Sequence, residues 1–347
     1  EPQPLKAYSY GKTQTDFLIR NCTVWTCDEN GIVPKLDVLV RGGKIVNMGE
    51  NLEGGEIRVI DGTGMHLTPG LIDEHSHIAI KRGVNEGTQA ITAEVRIEDV
   101  INADDVNIYR QVAGGTTTSH LLHGSANPIG GQTALIKLKY GAPVRDLVFG
   151  NDHRFIKFAL GENVKQSNWG DRHVIRYPQT RMGVEQVFVD GFTRAKTYSK
   201  LRSNDKVGID WELEALREIL ESKRFITCHS YQQGEINMLL HVADSFGFTV
   251  NTLTHILEGY KVADKLKAHG AAASTFSDWW AYKFEVNDAI PYNAAIMHNQ
   301  GVTVAINSDD GEMSRRLNQE AAKTVKYGGV SEEEAWKFVT LNPAKLL

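Results

Sequence analysis

The chain has 347 residues, of which 41% are hydrophobic and 23% charged, with a formal net charge of −5. This is the make-up of an ordinary soluble globular protein. The acidic balance offers no electrostatic footing for nucleic acid, and no apolar run approaches the ~18 residues of a membrane span. Three cysteines, Cys22, Cys27 and Cys228, are too few for a disulfide framework. Cys22 and Cys27 fall in one short strand and are expected to be unpaired. The sequence opens on Glu1 without a signal-peptide pattern, so a processed or trimmed product is expected. The compartment stays open between the cytoplasm and, if a signal has been removed, the periplasm or exterior.

Residues 1–10, with two prolines, read as an arm. Residues 17–25, 37–40, 44–46 and 57–60 then read as strands, with Gly42-Gly43 and Gly54-Gly55 as turns between them. They predict a small antiparallel, β-sandwich-like module over residues 1–68. From Leu71 the pattern changes to short apolar strands alternating with helical segments. Strands are expected at 71–73, 116–122, 134–138, 155–160, 225–228, 249–253, 271–276 and 302–306, and helices at 211–222, 236–246 and 260–269 among others. Such alternation argues for parallel βαβ units. Eight strands argue for an α/β fold closed into a TIM-type (β/α)8 barrel over residues 69–347. Ser331-Glu-Glu-Glu334 is a capping box that opens a last helix.

The strongest local signal is Pro69-Gly-Leu-Ile-Asp-Glu-His-Ser-His77. On an extended strand, residues two apart point the same way, so His75 and His77 can share one cation. Alone, the pair is equally compatible with two incidental surface histidines. Other strand ends change the balance: His229 follows the strand at 225–228, His255 that at 249–253, and Asp309 that at 302–306. In a barrel of this type, polar residues at the C-terminal strand ends face one common site. Imidazole nitrogens with one carboxylate suit zinc and, less exclusively, manganese, iron or cobalt. Bound metal would lower the pKa of a water towards about 7. Asp309 would take the proton of that attacking water and pass it to a leaving nitrogen. Asp310 reads as a loop residue.

On these residues the chain resembles the amidohydrolase superfamily, in its imidazolonepropionase-like branch. The matching features are the Leu67-to-His77 motif, His229, His255 and Ser308-Asp309, and the likeness runs over nearly the whole chain. Stretches such as Phe158-Ala-Leu-Gly-Glu-Asn163 and His255-Ile-Leu-Glu-Gly-Tyr-Lys261 resemble one subgroup of it. The resemblance implies that His75, His77 and Asp309 hold a first ion, and that His229 and His255 hold a second if there is one. Two dications about 3.5–4 Å apart repel, so a second ion needs a bridging anion. Lys157 matches the place of a carboxylated lysine in some relatives. Glu162 resembles the bridging glutamate of others and is favoured, being anionic without modification. Relatives continue beyond Leu347 into strands that return to the N-terminal module. The module is therefore expected to be incomplete, with an edge open to a homo-oligomer partner or a completing segment. The resemblance extends to larger bacterial proteins with two such units in tandem behind a signal peptide.

For a small-molecule substrate, His123 and Asn127 in the loop after the second barrel strand could polarise a carbonyl. Trp279, Trp280 and Tyr282 could wall a pocket, and Arg154, Lys165 or Arg181 could meet a carboxylate. His120, inside a strand, reads as a core histidine. Together these residues predict a metal-dependent hydrolase of C–N bonds, acting on a cyclic amide, an N-acyl amino acid or a dipeptide. A deaminase using one metal and a non-catalytic binding module are the alternatives.

Overall fold

Alternate burial along the first strands sets the opening sheet. In β1 (Phe17–Trp25), Leu18, Cys22 and Val24 are buried while Arg20 and Asn21 face water. The computed structural model describes residues 15–150, 154–166, 175–204, 206–279 and 282–347, so the expected arm at 1–10 lies outside the described residues. β1 pairs antiparallel with β2 (Ile32–Arg41), which turns through Gly42 and Gly43 into β3 (Lys44–Gly49). Both glycines hold positive φ, 55° and 72°, which a side chain would resist. β4 (Arg58–Asp61) and β5 (His66–Leu67) lie parallel to β1. The result is one mixed five-stranded sheet. This corrects the expected all-antiparallel pairing, since β4 and β5 run parallel to β1.

The remaining strands are β6 (Leu71–Ser76), β7 (Thr116–Leu121), β8 (Ile129–Gln132), β9 (Ala134–Lys137), β10 (Phe155–Ala159), β11 (Phe225–His229), β12 (Thr252–Thr254), β13 (Ala272–Thr275) and β14 (Val304–Ile306). β10 to β14 pair in parallel, in chain order. Sequential parallel pairing of this kind follows from crossover connections. The crossovers include α3 (Arg181–Arg202), α4 (Trp211–Leu220), α5 (Gln233–Phe246), α6 (Ala263–His269) and α7 (Asn293–Asn299). Helix α3, which the sequence pattern alone does not announce, buries Val184, Val187, Phe188, Phe192, Ala195 and Tyr198 at helical spacing. Among the described residues, no helix is long and apolar enough to cross a membrane.

Two departures from an eight-strand parallel ring are visible. β6 and β7 are parallel, but β9, expected as the third parallel strand, runs antiparallel to β7. β8 runs antiparallel to β10. Only Thr133 separates β8 from β9, so one extended segment turns a corner and serves two sheets. The second departure is a seam between β14 and β6, where no ladder forms. There Ile306 N–H donates to Phe338 O and Ile72 N–H to Val339 O, so the loop after α9 (Glu332–Lys337) stands in for the missing pairing. At the other end of the seam, Asp73 accepts from the Ser308 amide at 3.1 Å and from Ser308 Oγ at 2.6 Å, and the Asp309 amide donates to His75 O at 3.0 Å.

The largest core lies between the parallel strands and their helices. Phe158 meets Phe188 at 5.4 Å between centroids, and Phe192 stacks on Phe248 at 4.2 Å. Ser331 caps α9 by accepting from the Glu334 amide, as the capping box requires. All three cysteines are buried free thiols. Phe192 is fully buried, and Phe192→Ala should lower unfolding free energy by about 3–5 kcal/mol in a urea titration. A loss under about 1 kcal/mol would mean that this aromatic cluster contributes little beyond contact.

Candidate metal centre

The four expected histidine ligands and Asp309 stand at or just beyond the C-terminal ends of strands. His75 is the fifth residue of β6 and His77 follows that strand; His229 ends β11, and His255 directly follows β12. Asp309 lies three residues beyond β14. His255 and Asp309 hold positive φ, 60° and 48°. Such backbone is sparsely populated outside glycine and collects at functional sites.

The side chains converge. Ligand atoms of His75, His255 and Asp309 all lie within 4.8 Å of one another. His75 Nε2 is 3.4 Å from His77 Nε2. Asp309 Oδ1 is 3.1 Å from His77 Nε2, and Oδ2 is 3.4 Å from His255 Nε2. The rings of His229 and His255 meet edge-on at 5.1 Å. Both ring nitrogens of His229 and of His255 are buried without a hydrogen-bond partner. Buried imidazole nitrogens left this way cost free energy unless something else binds them. That donor set fits a divalent cation such as zinc.

Electrostatics point the same way. Burial first, and the charge of Lys157 second, hold the pKa of His75 well below the ordinary histidine value. Burial and then His255 do the same for His229. Burial carries His255 down to about 3 against the pull of Asp309. These rings are neutral at pH 7, the form that ligates metal. Burial alone would raise Asp309, but His255 and His77 outweigh it and hold the carboxyl at about 2. Burial lowers Lys157 to about 8, against the opposing charges of Asp309 and Glu74.

Outer partners orient the ligands. The His77 Nδ1–H donates to Leu122 O at 2.9 Å, which leaves Nε2 facing the cluster. His75 Nδ1 lies 3.0 Å from Thr254 Oγ1, and that hydroxyl donates to Glu74 Oε2 at 3.4 Å. A relay from imidazole through hydroxyl to carboxylate puts the His75 proton on Nδ1 and bares Nε2. Glu74 also accepts from Thr227 Oγ1 at 3.3 Å. Burial raises Glu74 to about 7 and Asp73 to about 6. Sequence reading misses Glu74 and Thr254 as site residues. Glu74 sits inside the motif it quotes, but nothing local shows that a threonine 180 positions away completes the pair.

Of the two bridge candidates, Lys157 enters the cluster: its Nζ is 3.2 Å from His75 Nε2. Glu162 lies on the loop after β10, its amide donating to Glu285 Oε2 at 2.9 Å, and it is not in the group of ligand atoms gathered around Asp309. His123 and Asn127 lie in the loop after β7. His123 Nε2 accepts from the Glu86 amide and Nδ1 lies 2.9 Å from Gly124 O. The Asn127 amide donates at 2.7 Å to Glu86 O and Gln89 O. Both are buried and brace the loop around Glu86, while Asn127 Oδ1 has no hydrogen-bond partner. His120 is a core histidine between Glu74 O and Thr133 Oγ1. Asp310 caps the turn at Glu312 and Met313, as a loop residue should.

Trp279 reaches the centre through a stack. Phe276 lies on the His255 ring at 4.7 Å, and Trp279 on Phe276 at 4.4 Å. Trp280 lies outside the described residues. Tyr231 packs its ring edge-on to His229 at 4.5 Å, and its hydroxyl pairs with that of Tyr282 at 2.8 Å. Arg154 pairs with Glu218 ahead of β10, at the opposite end of that strand from the centre. Arg181 is held by Glu235 and Glu285.

No protein-family model matches the chain. A crystal structure of an amidohydrolase from Thermotoga maritima is 31% identical and superposes with a TM-score of 0.86, covering 95% of this chain and 88% of that one. The amidohydrolase tasK of Hapsidospora irregularis is 29% identical over 95% of this chain, which spans only 39% of that relative's length. An atrazine chlorohydrolase variant from Arthrobacter aurescens, solved with zinc and atraton, shares 19% identity at a TM-score of 0.52 and shows likeness of fold.

If the centre holds a divalent cation, Thr254→Val should weaken its binding by about 10- to 100-fold, the usual effect of losing such an outer partner, with the fold intact by circular dichroism. Chelator competition measures it. Undiminished affinity would break the relay from His75 to Glu74.

Proposed function

Because the chain belongs to the amidohydrolase superfamily, we propose that it is a metal-dependent hydrolase that cleaves a C–N bond in a cyclic amide, an N-acyl amino acid or a dipeptide. The observation that carries this reading is the convergence of His75, His255 and Asp309, with the buried, unpartnered nitrogens of His229 and His255 beside them. In this reading residues 1–68 are a β module and residues 69–347 a TIM-type catalytic barrel. Ligands at the C-terminal ends of four parallel-paired strands support that division.

His75, His77, His229, His255 and Asp309 would hold one or two divalent ions, zinc foremost. An ion held there would supply an acidified water and a Lewis acid for the scissile carbonyl. Asp309 does the proton work. Its low pKa keeps it ionised across the physiological range, so its carboxylate accepts a proton from the attacking water and delivers it to the leaving nitrogen. For a second ion, a carboxylated Lys157 is the bridge this geometry favours over Glu162. Its Nζ already stands at His75, and a pKa of about 8 makes the uncharged amine, the form that takes up carbon dioxide, accessible near neutrality. Stacked behind His255, Phe276 and Trp279 would shield one wall from water.

A deaminase using one metal is the second reading. It is favoured by His75, His77 and Asp309, whose ligand atoms stand 3.1 to 3.6 Å from one another, close enough to share one ion. Metal stoichiometry and ammonia release separate the two readings. Asp309→Asn should lower kcat by on the order of 10²–10⁴-fold, without shifting thermal unfolding downwards. Turnover surviving that change would remove Asp309 as proton carrier. Purified protein that neither holds nor responds to a transition metal would end the hydrolase reading altogether.

A further inference from the structure

Glu285 follows β13 on a short turn and is buried, its carboxylate 1% exposed. A buried carboxylate is costly unless it is paired, and this one meets a loop amide and two cations. The Glu162 amide donates to Oε2 at 2.9 Å, Arg181 Nη2 donates to the same oxygen at 3.1 Å, and Lys283 Nζ stands 2.8 Å from Oε1. Arg181 opens α3, and its Nε donates at 2.6 Å to Glu235 in the first turn of α5. One carboxylate therefore joins the loops after β10 and β13 with the start of α3.

The loop after β10 is held at two of its amides. Leu160 N–H donates to the main-chain oxygen of the ligand His229 at 2.9 Å, and Glu162 N–H to Glu285 at 2.9 Å. Gly161 makes this possible in two ways. Its φ is +85°, and a Cβ there would stand 3.0 Å from Glu285 Oε2. Backbone conformation and close approach both require glycine. This loop continues the strand that carries Lys157 and itself carries Glu162, so both bridge candidates hang from it.

We infer that Glu285 is a positioning residue of the metal centre: by gripping the Gly161–Glu162 backbone it sets the depth of the segment that offers the bridging ligand. This rests on the hydrolase reading above. Glu285 does not touch the ligand cluster; it acts through the loop.

Two substitutions perturb the contact from opposite sides. Glu285→Gln removes the charge that gathers Arg181 and Lys283 while keeping the side chain's size. Gly161→Ala leaves every charge in place and pushes the backbone off the carboxylate. With cobalt(II) loaded in place of zinc, both variants should change the visible absorption spectrum, and kcat should fall at least tenfold while KM moves less than threefold. If Glu285→Gln does not fold, Gly161→Ala decides alone. A folded variant whose cobalt spectrum and kcat match those of the wild type overturns the inference and leaves the hydrolase reading standing. Wild-type protein that takes up no cobalt and turns over no amide sinks that reading, and the inference with it.

Discussion

The Asp73 carboxylate holds together two strands that no ladder joins. Everything at the centre depends on that seam. β14 supplies Asp309 and β6 supplies His75 and His77, yet sheet pairing stops between them. Two hydrogen bonds from Ser308 to Asp73 and one from the Asp309 amide to His75 O replace it. A charged acceptor makes such bonds short and strong, and burial keeps them from exchanging with water. Asp309 is thereby fixed in a left-handed conformation it would rarely adopt in a free loop. A normal ladder at this point would place successive residues at strand register. The staple instead leaves three residues free to turn a carboxylate inwards.

The same logic runs through the rest of the site. Short strands bring their ends together, and polar side chains between neighbouring elements then fix what backbone pairing cannot. Thr254 and Glu74 orient His75; Leu122 O orients His77; Glu285 holds the loop after β10. His123 and Asn127 brace the loop around Glu86 by satisfying main-chain groups that burial would otherwise leave unpaired.

What is legible in the sequence follows from this division. His75, His77, His229, His255 and Asp309 can be found because a strand end is a local property, marked where an apolar run stops. Strand direction is not local. Ala134–Lys137 carries the composition of a barrel strand, and nothing in it says that it runs antiparallel to β7. Helix α3 hides because glycines at contact positions, such as Gly191 against Ile91, weaken its apolar stripe without weakening its packing. Outer partners are least legible of all. Glu162 and Glu285 are 123 residues apart, and Arg181 and Glu285 are 104 apart. No spacing rule connects them, since the connection exists only once three loops have been folded onto one carboxylate.

The buried charges at the centre form one coupled system. Lys157 supplies positive charge beside His75, while Glu74, Asp73 and Asp309 supply negative charge around it. Burial holds Glu74 near 7 and Asp73 near 6, so both share protons near neutrality, whereas Asp309 is fully ionised. A divalent cation among the histidines would favour every ionised carboxylate near it and disfavour the ammonium form of Lys157. Ion binding, carboxylate ionisation and Lys157 deprotonation would then reinforce one another through linkage. The depressed histidines would add no proton cost, because they are already neutral.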